Sequence, residues 1–210
     1  MKSVIGKIKG FHIYAFGILR RLYEWVLSWA HKKYSSAALF VLAFAESSFF
    51  PVPPDVLQIA LSVSKPKKSF FYALISSVGS VLGGIFGYFI GLFLFDSIGS
   101  FIINALGYQA QFQSVGQIYK SYAFLAILIA AFTPIPYKVF TIAAGFWNVG
   151  LFPLIVASVI GRSARFFLVA SLIYFFGPKI KDFIDKYFNL ITIIFLILLA
   201  GGFMAIKYMI

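Results

Sequence analysis

The chain has 210 residues, of which 61% are hydrophobic and 11% charged, against roughly 25% charged in an ordinary soluble domain. Lipid is therefore its main solvent, and this length fits one membrane domain with no separate soluble unit. The formal charge of +12 comes from Lys and Arg residues that flank apolar runs instead of forming one patch, so anionic lipid headgroups are the expected partners and nucleic acid is not.

Residues 1–34 mix Lys2, Lys7, Lys9, Arg20, Arg21, Lys32 and Lys33 with aromatic and aliphatic side chains. The segment 11–30 is apolar enough to insert, but Arg20 and Arg21 fall at its centre, where each costs about 2.5–3.5 kcal/mol. An amphipathic helix lying in the interface is expected in preference to a full span. No apolar core followed by a small-residue cleavage site is evident, so a retained N-terminus is expected. Cysteine is absent, which excludes disulfides, thiol catalysis and Cys-ligated metals. The two histidines, His12 and His31, both lie in the basic N-terminal stretch, so no metal or other cofactor is expected.

Apolar stretches follow at 36–63, 69–95, 121–147, 150–176 and 188–206, each long enough for a hydrocarbon core about 30 Å thick. The first breaks at Pro51, Pro53 and Pro54, and the third at Pro134 and Pro136. Proline lacks the N–H donor and pushes its predecessor out of helical geometry, so P-V-P-P and P-I-P are expected to be turns. Non-helical backbone at membrane depth survives only where protein shields it or a water-filled cavity meets it. Both tips are therefore expected to point into the protein.

Charge placement separates re-entry from spanning. If both broken stretches double back, the N-terminus, the Lys65, Lys67, Lys68 loop and the Lys179, Lys181, Lys186 loop share one side with thirteen of the eighteen basic residues. Lys120 and Lys207 then face the other side. The positive-inside tendency favours this arrangement and places the basic side, with the N-terminus, in the cytoplasm of a bacterial-type inner membrane.

The breaks also repeat. F-P-V-P-P-D-V (50–56) aligns with T-P-I-P-Y-K-V (133–139), pairing Asp55 with Lys138, and the same shift pairs Ile59 with Ile142 and Ala60 with Ala143. Each copy precedes an apolar helix, S-S-V-G-S-V-L-G-G-I-F-G-Y in one and S-V-I-G-R-S-A-R-F in the other. A single crossing between the copies inverts the second relative to the first, the plan of many secondary transporters. The expected fold is an all-α integral membrane protein: two opposed re-entrant hairpins, each followed by a transmembrane helix (repeats 36–95 and 121–177), with an N-terminal amphipathic segment (1–34) and a C-terminal basic loop and span (178–210).

These residues resemble the DedA (VTT-domain, SNARE-associated) membrane proteins, and among them the YqaA-like branch. The features are E-S-S-F-F-P-V-P-P-D-V-L, F-T-P-I-P-Y-K-V-F-T-I-A-A-G-F-W-N-V-G and G-R-S-A-R-F, across roughly residues 40–177. The resemblance implies opposed re-entrant hairpins and membership in a group that includes bacterial undecaprenyl-phosphate flippases and eukaryotic phospholipid scramblases. It also implies required acidic residues, here Glu46 and Asp55, required arginines, here Arg162 and Arg165, and dependence on a proton or sodium gradient. Where many members carry an arginine before the second-hairpin proline, this chain has T-P-I-P-Y-K and supplies Lys138.

Ionisable groups inside a bilayer are rare, costly and usually paired. Five stand out: Glu46, Asp55, Lys138, Arg162 and Arg165. A buried carboxyl beside a cation is open to proton coupling. Asp55 also suits a helix cap after Pro53-Pro54. Arg162 and Arg165 are three apart, on one helix face, and arginine binds phosphate through a planar fork. With Lys138 they suit a phosphate headgroup; the alternative is a closed network neutralising the two acids. Gly79, Gly83, Gly84, Gly87 and Gly91 are read as close helix packing. No nucleophile, base and orienting partner converge, so no enzyme is expected. The expectation is a gradient-coupled translocase for a phosphate-bearing lipid, such as undecaprenyl phosphate or a phospholipid, with a homo-oligomer compatible. A small-anion carrier and a non-transporting scaffold or assembly factor are the alternatives.

Overall fold

A computed structural model describes residues 28–29, 32, 34–94, 97, 99–107 and 109–177. The expected N-terminal amphipathic helix, His12, His31, the Lys179–Lys186 loop and the C-terminal span at 188–206 fall largely or wholly outside these residues. Among the described residues there are seven α-helices and no strand: α1 (Ser35–Ser48), α2 (Asp55–Ser64), α3 (Ser69–Leu94), α4 (Ser100–Leu106), α5 (Gln109–Phe132), α6 (Tyr137–Phe146) and α7 (Leu151–Phe176). Among the described residues, three helical stretches are long and apolar enough to cross a membrane: Pro66–Leu94, Phe112–Phe132 and Leu151–Phe176.

The prolines break the chain where expected. α1 stops at Ser48, and the N–H groups of Phe49 and Phe50 both bond back to the Ala45 carbonyl. Pro54 leads directly into α2. α5 stops at Phe132, and Pro136, with ψ 95°, sets the entry to α6. The chain reverses at each break. Leu39 and Leu42 of α1 share a buried cluster with Leu57 and Leu61 of α2, and the Tyr119 hydroxyl of α5 donates to the Phe140 carbonyl of α6 at 2.7 Å. One limb differs from the sequence reading: α5 starts at Gln109, twelve residues before the apolar stretch at 121. Aromatic stacking holds this extension. Phe112 and Tyr119 lie 5.5 and 5.3 Å from the Trp147 ring, so polar residues such as Gln113 and Lys120 remain helical.

α3 is the central post, and its glycines set its neighbours. A Cβ on Gly79 would meet the Phe40 carbonyl oxygen at 2.7 Å, one on Gly83 the backbone of Phe44, and one on Gly87 the Ser47 carbonyl. The numbers rise together, so α1 runs parallel to α3. On the next face, Gly84 abuts the Tyr137 hydroxyl, Gly87 the Thr141 hydroxyl and Gly91 the Ile142 carbonyl, so α6 is also parallel to α3. α1 thus flanks the first part of α3 and α6 the last part, and the two nearly meet end to end beside Gly84–Gly87. α7 runs the other way: Phe70 stacks near Tyr174 at 5.1 Å, and Ser80 meets Arg162.

α7 carries its own pair in the same pattern. Gly161 of α7 lies against Leu128 and Ala131 of α5, and Arg165 reaches the Thr133 carbonyl at the end of α5. α2 meets α7 through Asp55 to Arg165 and Gln58 to the Phe166 carbonyl, so α5 and α2 both run parallel to α7. Each long helix is therefore flanked by the first limb of its own half and the second limb of the other half. Because α3 and α7 are antiparallel, the two halves point in opposite directions.

Candidate functional site

Where the hairpin tips and the two long helices converge, the interior turns polar. Ser47, Ser48, Ser80, Thr141, Ser158 and Arg162 are all buried. Arg162 is 3% exposed, and its partner Glu46 is 13% exposed. One Arg162 Nη atom donates to the Glu46 carboxylate and, at 2.8 Å, to the Ser47 hydroxyl; its Nε donates to the Ser80 hydroxyl. The Ser47 and Ser80 hydroxyls lie 2.6 Å apart. The guanidinium also sits 4.7 Å from the Tyr137 ring and 5.2 Å from the Phe166 ring, a geometry in which a cation is attracted to aromatic faces.

Arg165 makes the second pair. Its Nε and Nη atoms donate to the two Asp55 carboxylate oxygens at 3.0 and 3.1 Å, the planar two-point geometry that arginine favours. Its third donor goes to the Thr133 carbonyl at 2.9 Å. This residue of α7 therefore ties together the start of α2 and the end of α5. Pro54 is the N-cap of α2 and Asp55 stands in its first turn, with both carboxylate oxygens bonded to Arg165.

Lys138 is bound differently. Its ammonium donates to the Phe50 carbonyl at 2.6 Å and lies 3.4 Å from the Glu46 carbonyl. Among the described residues it makes no ion pair with a carboxylate. The five charged groups thus form one assembly in three parts, with three cations against two carboxylates, one positive charge in surplus. In this arrangement Arg162 and Arg165 are closed on their acids and do not present a shared open fork. The sequence brings all five residues to one place but does not show this division.

The proline tips are structural. Pro51, Pro53 and Pro54 expose the Phe50 carbonyl that Lys138 takes, and Pro134 and Pro136 end α5 so that the Thr133 carbonyl faces Arg165. An apolar hollow of about 430 Å³ lies alongside, lined by Trp29, Val41, Leu42, Ala45, Phe50 and others. A second, of about 470 Å³, lies at the far ends of α3 and α6, with Lys120, Gln113 and Asn148 in its wall. Sequence reasoning gave no role to Ser80, Tyr137 and Ser158, although Tyr137 donates to Ser158 and Ser80 holds Arg162. Their signal is faint: serines at 76, 77 and 80 follow the glycine face of α3 at one-turn spacing, where a small residue reads as packing. Among the described residues no group of three or more His, Asp or Glu side chains could hold a metal.

The VTT domain matches residues 52–175, more than half of the chain. An uncharacterized protein of Haemophilus influenzae is 35% identical over 174 residues, covering 83% of this chain and 90% of the relative. An uncharacterized protein of Histophilus somni is 34% identical, covering 77% of this chain and 84% of that protein. No solved structure matches. With its paired proline breaks, its three span-length helices and this match, the chain belongs to the VTT-domain (DedA) family of membrane proteins.

Proposed function

We propose that this membrane protein moves a phosphate-bearing lipid, a polyprenyl phosphate or a phospholipid, across the inner membrane under the drive of a cation gradient, and does not catalyse a reaction. The observation that carries the reading is Lys138, a cation held at a hairpin tip by the Phe50 and Glu46 carbonyls and not by a carboxylate of its own. An anionic headgroup satisfies such a charge better than neutral carbonyls do. In this reading the headgroup docks at Lys138 and then competes with Glu46 for Arg162. Protonation of Glu46 or Asp55 weakens its hold on arginine, which couples the exchange to the gradient. The apolar hollow lined by Ala45 and Phe50 lies next to the same tip and suits the lipid's tail.

Both hairpins re-enter the bilayer from opposite faces in this reading. The opposed directions of α3 and α7 and the basic Lys65–Lys68 turn support that topology, with the basic side and the N-terminus cytoplasmic. The test is phosphate-lipid flipping in proteoliposomes, with Glu46→Gln, Lys138→Met and Arg162→Ala beside the unaltered chain. Each variant is expected to lose at least about tenfold in rate, as removal of a buried charge partner implies. Equal rates in all four overturn the proposal. Solute uptake without lipid movement replaces the substrate with a small anion.

A further inference from the structure

Among the described residues, Gln58 Oε1, Ser62 Oγ and Ser76 Oγ are buried side-chain oxygens with no hydrogen-bond partner. All three residues are 0% exposed. They lie in one region. Gln58 and Ser62 are one turn apart on α2, and the Gln58 amide donates to the Phe166 carbonyl of α7 at 2.9 Å. The Phe166 side chain packs against Ala73 of α3, and Ser76 follows Ala73 by one turn. The seam between α2, α3 and α7 thus carries three unused oxygens. Ser77 next door closes on its own helix, donating to the Ala73 carbonyl at 2.8 Å, and so do many helical serines. Ser62 and Ser76 do not.

Buried polar groups are almost always hydrogen-bonded, to protein or to ordered water. Water is the occupant whose chemistry suits these oxygens. A metal cation does not suit the seam, because no carboxylate is among the three oxygens, the Glu46 carboxylate at its inner end is taken by Arg162, and Lys65, Lys67 and Lys68 stand at the other end. Asp55 is committed to Arg165 at the start of α2. In the second half the position matching Gln58 is Thr141, which bonds to the Lys138 carbonyl.

The seam continues a hydrogen-bonded chain already closed at its inner end. Ser47 donates to the Glu46 carboxylate at 3.2 Å and meets Ser80 at 2.6 Å. Ser76 is one turn further along α3, and Ser62 one turn nearer the Lys65–Lys68 turn. From Ser80 to Ser69 the path covers eleven residues, about 16 Å of helix. We propose that ordered water in the α2–α3–α7 seam joins Glu46 to the Lys65–Lys68 side, forming a proton wire through Ser62, Ser76, Ser80 and Ser47. A hydroxyl accepts one proton on its oxygen while releasing the one it held. Each step therefore leaves the serines and waters unchanged and transfers one proton to or from the Glu46 carboxylate. This assignment rests on the coupling role proposed for Glu46, but the hydration itself is measured without it.

X-ray radiolytic footprinting of the full chain in bilayer discs reads the water directly, since bound water generates hydroxyl radicals where it sits. Phe166, beside the seam and 0% exposed, is expected to oxidise about tenfold faster than the equally buried Ile127 and Leu154, after correction for intrinsic reactivity. Oxidation of Phe166 at their rate overturns the proposal. The Ser62→Ala, Ser76→Ala double variant keeps the Gln58 bond to α7. It is expected to reduce Phe166 oxidation and abolish the stimulation of lipid movement by a pH gradient, while movement without a gradient stays within about twofold. Full gradient stimulation in that variant overturns the wire. If the unaltered chain moves no lipid, the transport reading fails, and the Phe166 measurement still decides the hydration.

Discussion

Replacing Arg162 by methionine keeps the side-chain bulk between the Tyr137 and Phe166 rings and removes the charge. Ser47 and Ser80 already lie 2.6 Å apart and can satisfy each other, so their loss is small. The cation–ring attraction is worth about 1 kcal/mol. The dominant cost is Glu46, left 13% exposed with Ser47 as its remaining donor; removing one partner of a buried ion pair costs about 3–5 kcal/mol. Glu46→Gln still offers Arg162 an oxygen and should cost about 2 kcal/mol. In the double variant no uncompensated charge remains, so its cost should fall short of the sum by about 2 kcal/mol. Reversible unfolding in mixed micelles, titrated with a denaturing detergent, measures all four corners of this cycle. Additivity within about 0.5 kcal/mol would show that the two residues do not act as a unit, and the account of the site would fail with it.

The glycine face of α3 offers a second check. In Gly83→Ala the new Cβ would overlap the Phe44 backbone, and this should destabilise the protein by more than the roughly 1 kcal/mol expected for Gly107→Ala, where φ is 71° but no atom lies within 4 Å; unfolding of the two variants side by side decides it. For topology, the cysteine-free chain with a single Lys67→Cys change should react with an impermeant thiol reagent from the cytoplasmic side alone, and labelling from the other side would refute the re-entrant arrangement.

Much of the architecture is legible in the sequence because proline and glycine act locally. Pro51, Pro53 and Pro136 interrupt helix through their own ring geometry, and Gly79 to Gly91 mark a face where backbones touch. The five charges are equally legible, since nothing else in the apolar stretches carries one. Their pairing is not. Glu46 and Arg162 are 116 residues apart, and Asp55 and Arg165 110; both arginines share one face of α7, and only the placing of α1 on α3 and of α2 on α7 decides which acid reaches which. The start of α5 at Gln109 was hidden for a different reason. Its polar first turns owe their helix to Phe112 and Tyr119 packing on Trp147, a tertiary contact that hydropathy cannot register. The serines were hidden because a hydroxyl in an apolar helix looks like any other small side chain until its partner is known.

The bare face of α3 has a mechanical consequence. Helices that interlock through side-chain ridges resist axial slip, because each ridge must climb out of its groove before it can advance. Along Gly79, Gly83, Gly84, Gly87 and Gly91 there are no ridges to climb. The two short limbs α1 and α6 abut this post from successive heights, and polar contacts at their tips fix those heights: Glu46 with Arg162 for α1, and Lys138 with the Phe50 carbonyl for α6. α3 is in this sense a rail, and for α1 the Glu46–Arg162 pair is a latch across it: undoing that pair removes the polar hold on the end of α1 while its close backbone contact with α3 remains.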